Sequence, residues 1–274
     1  MFKKISIFLS IISLFTFSCA NLAMAENNKT VILATTTSVQ DTGLLDVLAS
    51  LFQKKTGYTL KAIAVGTGQA IKMGTLGEAD ILWVHSPADE KQFVDEGYGT
   101  NRTTFMHNDF VVLGPKNDPA KIAGEKYAAE AFKKIAAQKA LFVSRGDNSG
   151  THKKEKAIWK EAGVSADKDA YIEVGQGMAQ TVTIANEKQG YCLADRSTYI
   201  SLKKTIDLII VCEKDPLLIN YYSLILVNPD KFPKVNTNGA RALFDFLLSK
   251  DSKEIVENFG KEKFGEQLFF WDLE

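Results

Sequence analysis

The chain of 274 residues carries 33 basic and 33 acidic side chains, a formal balance of +0, and is 45% hydrophobic. That length and apolar content support a sizeable core, in one large domain or two lobes, and exclude a disordered chain. The even balance excludes a global field for nucleic acid or an anionic membrane surface, so any anion site must supply its own local donors.

Residues 1–25 read as a secretory signal. Lys3 and Lys4 precede an apolar run from Ile5 to Phe17, and Ala23-Met24-Ala25 offers a small-x-small cleavage pattern. The run is shorter than the about 20 residues a spanning helix needs. A periplasmic or extracytoplasmic protein is therefore expected, with cleavage after Ala25 favoured over a lipid anchor at Cys19. The Thr16-Phe17-Ser18 context of that cysteine lacks the usual Leu of a lipoprotein box. Cys192 and Cys212 would then meet an oxidising compartment, where they either pair or stay as two buried thiols; spacing alone does not decide.

From Thr30 to Val227 short apolar runs alternate with helical stretches, which argues α/β with largely parallel sheets. Strands are expected at 30–34, 60–65 and 81–84, and helices at 44–55 and 70–76. At the strand ends the sequence turns polar: Thr35-Thr36-Thr37-Ser38, then Gly66-Thr67-Gly68-Gln69, then His85-Ser86-Pro87. Open α/β sheets bind ligands beyond the carboxyl ends of their strands, so these turns would converge on one crevice. A strand at 109–113 ends at Gly114-Pro115 as a crossing into a second lobe, followed by a helix at 127–139.

The strand expected at 141–143 runs into Ser144-Arg145-Gly146-Asp147-Asn148-Ser149-Gly150-Thr151-His152, ahead of helical composition at 153–162. One reading is an anion cradle: free N–H donors at a helix N-terminus, hydroxyls from Ser149 and Thr151, close approach at Gly146 and Gly150, and the planar fork of Arg145. The other is an N-cap motif whose Arg145 pairs locally with Asp147. Beyond it come a strand at 171–174, the turn Gly175-Gln176-Gly177, a helix at 178–188, strands at 191–194 and 208–212, and a return crossing at 221–227. Helices at 239–248 and 252–259 pack back on the first lobe. Lobe I is thus expected to comprise 26–113 with 221–274, and lobe II 114–220, joined by two crossings that would hinge.

Other chemistries fit less well. Gly66-Thr67-Gly68 does not complete G-x-G-x-x-G, because Ile71 stands at the third Gly, and no Walker A sequence is present. Asp147, Ser149 and His152 supply the residue types of a hydrolytic triad but crowd one turn, and there is no G-x-S-x-G elbow; a secreted serine hydrolase is the distant alternative. His85, His107 and His152 have no metal-ligand spacing to the cysteines, so neither a metal nor a cofactor is expected. His85 reads as a structural turn histidine, and Asp195-Arg196 as an ion pair or a helix start.

Taken together and in order, Thr35 to Ser38 with Asp41-Thr42-Gly43-Leu44-Leu45, Gly66 to Ala70, Ala79-Asp80-Ile81 with His85-Ser86-Pro87, Ser144 to His152, Gly175-Gln176-Gly177-Met178, and Leu193 to Arg196 resemble the periplasmic tungstate-binding proteins of ABC importers. The resemblance implies a two-lobed type II periplasmic binding protein fold, with a central, mostly parallel sheet in each lobe. It implies a monomeric receptor, not an enzyme, that closes on tungstate or molybdate and presents it to ABC permease subunits. By the same resemblance the ligand residues would be Thr36, Thr37, Ser38, Gly66, Thr67, Gly68, Arg145, Ser149, Gly150, Thr151, Gly175, Gln176, Gly177 and Met178. The alternative within the fold is a phosphate receptor, whose binding motif Arg145 to Thr151 also resembles. Thr35 to Ser38 argues against it, since phosphate receptors resemble a Gly/Ala-rich turn at that place.

Overall fold

A computed structural model describes residues 29–273; the expected signal segment, with Cys19, lies outside the described residues. Three strands, β1 (Thr30–Thr36), β2 (Thr59–Val65) and β3 (Ile81–Val84), pair in parallel around β1. The crossing helix α2 (Leu44–Thr56) buries Leu44, Leu45, Leu48 and Phe52, which fall on one face of a 3.6-residue repeat. Two long strands, β4 (Gly99–Gly114) and β9 (Ile219–Val227), extend this sheet, and the short strand Phe270–Trp271 pairs with β4 at its edge.

Period-two alternation sends successive side chains to opposite faces, and both faces are covered. Val31, Leu33, Ile81, Trp83, Leu224 and Leu226 enter one core, closed by α2 and by α9 (Thr237–Leu247). Ala34, Leu82, Val84, Ile225 and Val227 enter the other, with Ala70 and Met73 of α3 (Thr67–Thr75).

The second lobe is built on the far half of β4. Up to Asp109 this strand pairs antiparallel with β9; from Phe110 it pairs instead with β7 (Cys192–Asp195) and β8 (Ile209–Cys212). Phe110 and Val112 face a core with Phe132, Phe142 and Trp159, while Val111 and Leu113 face one with Met178 and Val182. A separate parallel pair, β5 (Phe142–Ser144) with β6 (Tyr171–Glu173), carries the cradle at its end.

The sheets are mixed, not largely parallel: β1–β2, β1–β3 and β5–β6 are parallel, but every pairing of β4 and β9 is antiparallel. Alternating apolar runs did not reveal this, because the 99–108 half of β4 is rich in polar side chains. Helices beyond the expected stretches include α4 (Pro87–Asp95) and α8 (Arg196–Leu202), the latter in line with the helix-start reading of Asp195-Arg196. The start of α4 has recognisable causes, Pro87 in its first turn with Asp89 and Glu90.

Cys192 and Cys212 are free and buried. They lie on strands at opposite edges of β4, since Leu113 pairs with both Cys192 and Ile210. Strands two apart are separated by about 9.6 Å, beyond the roughly 7 Å across which a disulfide forms. Burial raises both thiols above their ordinary pKa, Cys212 to about 12. Among the described residues no helix is long and apolar enough to cross a membrane.

Candidate oxyanion site

Three turns of the first lobe meet the cradle of the second across a narrow seam. β1 runs past its expected end, so Thr35 belongs to the strand and its hydroxyl donates to the Trp83 carbonyl at 3.0 Å. Thr36 ends the strand, and Thr37 and Ser38 open the short helix α1 (Thr37–Gln40). Thr36 and Ser38 are buried with their hydroxyl oxygens 3.0 Å apart, while Thr37 is half-buried.

Gly66 precedes α3 as its N-cap and offers no side-chain cap, so the N–H groups of Thr67 and Gly68 lack an intrahelical acceptor. Thr67 is fully buried, and its Oγ1 has no hydrogen-bond partner among the described residues. An unpaired buried hydroxyl costs about 1–3 kcal/mol, which a ligand oxygen would recover.

From the second lobe, α6 (Gly150–Ala162) starts earlier than its composition suggests, because Ser149 caps it by accepting the His152 N–H at 3.3 Å. The Gly150 and Thr151 N–H groups, in the first turn, remain without an intrahelical acceptor where the helix dipole is positive. Gly146 bends the loop with φ 61°, and a Cβ there would stand 2.6 Å from Glu173 Cβ. Arg145, 4% exposed, donates to Asp147 Oδ2 from Nε at 3.2 Å and also from Nη2. Asp147 Oδ1 accepts the Ser149 N–H at 3.0 Å. The local ion pair is therefore part of the cradle's construction. The charge of Arg145 is nonetheless felt in the first lobe, where it opposes the burial-driven rise of the Asp41 pKa and reinforces the fall of the His85 pKa.

The seam is tight. A Cβ on Gly66 would stand 3.8 Å from Ser149 Cα, and one on Gly68 would stand 3.7 Å from the Asn148 carbonyl oxygen. Lys153 on α6 pairs with Asp89 on α4, bridging the lobes. Lys154 donates to the carbonyls of Leu217 and Ile219, at 3.0 and 3.1 Å, where β9 begins. The fourth turn stands apart: Gly175, Gln176 and Gly177 are exposed, and Met178, buried at the start of α7 (Met178–Lys188), packs into the core of the second lobe. Its link to the cradle is the Gly175 N–H, donated to the Arg145 carbonyl at 2.8 Å.

The geometry holds no nucleophile–base pair at Ser149. Its hydroxyl meets the main-chain N–H of His152, while the His152 ring accepts the Asn148 N–H at Nδ1 (3.0 Å) and sets Nε2 3.7 Å from Glu173 Oε1. Burial, and then the charge of Lys156, lowers the pKa of that imidazole.

Sequence reading passed over His85, Asn108, Asn220 and Asp195 as site residues. His85 is buried in the seam, its Nε2 3.3 Å from Ser38 Oγ and its Nδ1 2.9 Å from Asn220 Oδ1. Desolvation pushes its pKa down to about 4; the Asn220 hydrogen bond opposes this, and the charges of Arg145 and Lys154 reinforce it. Asp195 caps α8, and Arg196 is held by Asp109 and Glu213. The available signal was an asparagine standing just ahead of each expected crossing strand.

Residues 23–251 match the family described as PBP superfamily domain. The chain is 49% identical over 241 residues to the tungstate-binding protein TupA of Peptoclostridium acidaminophilum, covering 87% of this chain and 84% of the relative. Among solved structures it is similar to the tungstate ABC transporter from Geobacter sulfurreducens, with 46% identity, a TM-score of 0.77, and coverage of 84% of this chain and 99% of that one. TupA from Desulfovibrio alaskensis G20 also matches with 46% identity and a TM-score of 0.77, over 89% of this chain and 99% of that one. The chain belongs to the PBP superfamily and, within it, to the family of the tungstate-binding proteins TupA.

Proposed function

We propose that this protein is an extracytoplasmic receptor that captures one tungstate, or molybdate, between its two lobes and delivers it to the permease subunits of an ABC importer. The observation that carries the reading is a tight seam with unpaired donors on both sides: the buried Thr67 hydroxyl and the first-turn N–H groups of α3 on one, the first-turn N–H groups of α6 on the other, with a Cβ on Gly66 only 3.8 Å from Ser149 Cα. Hydrogen bonds to a charged acceptor are worth about 1.5–3 kcal/mol each. A few of them reach the roughly 8 kcal/mol of micromolar binding. The Thr36–Ser38 turn adds N–H groups, and the exposed Gly175–Gly177 turn forms the rim. Closure runs about the segments where β4 and β9 pass between lobes, and the receptor works as a monomer without a cofactor.

Tungstate and molybdate are fully ionised near neutral pH and bring no proton, whereas phosphate keeps at least one. A phosphate site needs an acceptor, and both Asp147 oxygens are already committed, one to Arg145 and one to Ser149 N–H. A like-charged or unpaired group is what separates the two ligands. Calorimetric titration with tungstate, molybdate, sulfate and phosphate tests this. One tight site for tungstate, undisturbed by excess phosphate at pH 6 and at pH 8, is expected. Displacement by phosphate that Asp147→Asn abolishes would move the chain to the phosphate receptors.

A further inference from the structure

A line of buried polar side chains leaves the Thr36–Ser38 turn, passes through both crossing strands and ends in the second lobe. Ser38 Oγ lies 3.3 Å from His85 Nε2, His85 Nδ1 lies 2.9 Å from Asn220 Oδ1, Asn220 Nδ2 donates to Asn108 Oδ1 at 2.8 Å, and Asn108 Nδ2 donates to Asp195 Oδ2 at 2.7 Å. All five residues are buried. Asn108 and Asn220 face each other in the β4–β9 register, next to the point where β4 changes partners.

The direction of this line follows from its far end. Asp195 Oδ1 is occupied by the N–H and hydroxyl of Ser197 at the cap of α8, leaving Oδ2 to accept from Asn108. Asn108 turns its NH2 to Asp195 Oδ2 and its carbonyl to Asn220, the arrangement that an acceptor-only carboxylate requires. Asn220 must then turn its carbonyl to His85, so the ring carries its proton on Nδ1. In the neutral ring Nε2 is then an acceptor, and the Ser38 hydroxyl donates to it. Burial raises the pKa of Asp195, and the Ser197 and Asn108 hydrogen bonds oppose that rise. Both cations acting on His85, Arg145 from the cradle and Lys154 from α6, disfavour the doubly protonated ring.

With its hydrogen committed to His85, Ser38 Oγ has two lone pairs and two donors to fill them, Thr36 Oγ1 at 3.0 Å and the Tyr222 hydroxyl at 3.4 Å. In the opposite tautomer Ser38 would accept from His85 and turn its hydrogen to Thr36, and the bare Nδ1 would face the Asn220 carbonyl oxygen at 2.9 Å, so that contact would break. We propose that Asp195, Asn108, Asn220 and His85 form a positioning relay that fixes the Ser38 hydroxyl, and with it the Thr36–Ser38 turn, from across the hinge. Ser38 then acts on the ligand through its N–H and through the turn it holds, its hydroxyl being spent inside the protein. The proposal rests on the reading of that turn as part of the oxyanion site.

Two measurements test it. Ring-nitrogen NMR of the wild-type protein should find His85 neutral with its proton on Nδ1; a proton on Nε2 overturns the relay whether or not any anion binds. Asp195→Asn replaces an acceptor-only end by an amide that can face either way. It should give His85 mixed tautomers and weaken tungstate binding about fivefold to tenfold, on the scale of one hydrogen bond. That loss should vanish in a Ser38→Ala background, because the relay acts through that hydroxyl. An unchanged tautomer with unchanged affinity, or a loss that adds fully to that of Ser38→Ala, refutes it. Failure of the wild-type protein to bind any oxyanion would instead sink the functional reading and leave the tautomer result standing.

Discussion

Gly150→Ala isolates closure from ligand chemistry. The substitution removes no donor, and the position has an ordinary helical backbone at the start of α6, so alanine does not impair the helix. Its Cβ, however, would stand 2.4 Å from His85 Cε1, 2.6 Å from Nδ1 and 3.0 Å from Nε2. The ring cannot swing aside without giving up its contacts to Ser38 and Asn220. Overpacking of this kind costs about 1–3 kcal/mol. Since Gly150 and His85 come from different lobes, the cost falls on the closed state, and tungstate binding should weaken roughly fivefold to 150-fold. The assay is calorimetry on the variant, paired with small-angle scattering to read compaction on ligand addition and a thermal melt of the unliganded protein. Weaker binding, reduced compaction and an unliganded melting temperature no lower than wild type are expected. Affinity within about twofold of wild type, with normal compaction, would refute the reasoning that these two surfaces meet only on closure.

Thr67→Val keeps the volume and removes a buried hydroxyl that has no partner among the described residues, so the unliganded protein should be as stable or more so, while tungstate affinity falls about tenfold; equal affinity would place that hydroxyl outside the site. Arg145→Lys keeps the charge but loses the fork that Asp147 grips, and should lower affinity for both tungstate and molybdate in titrations; unchanged values would make Arg145 purely structural. Stability should also fall in acid through His85. Its folded pKa of about 4 lies below the unfolded 6.5, so the unfolded chain binds more protons between those values. The contribution is fully present above about pH 6.5 and is lost as pH falls towards 4, a span worth about 3 kcal/mol. Urea melts of wild type and His85→Asn across this window should diverge, and parallel pH slopes would exclude His85 as the cause.

The parallel core was legible because β1, β2 and β3 are short apolar runs and α2 has one clean apolar face. β4 escaped because one strand serves two lobes: its 109–113 half is apolar while its 99–108 half is rich in polar side chains. In the cradle, the local pairing of Arg145 with Asp147 is the arrangement seen, and it holds the loop whose donors the anion reading invokes. The relay was hidden for a different reason. A histidine, two asparagines and an aspartate distant in sequence carry no local pattern, and only the β4–β9 register brings Asn108 to Asn220. The Gly175–Gly177 turn, a Gly-rich turn ahead of a helix that reads as a ligand loop, is exposed and joins the cradle through the Gly175 N–H bond to the Arg145 carbonyl.

Crystals grown with tungstate offer the most direct measurement, because tungsten's anomalous scattering locates the ion independently of any phase model. A single strong peak is expected, enclosed between the 36–38 and 66–68 turns of one lobe and the 145–151 cradle of the other, in a molecule with the lobes together. A peak elsewhere, or none in crystals of the soaked and co-crystallised protein, would contradict the account.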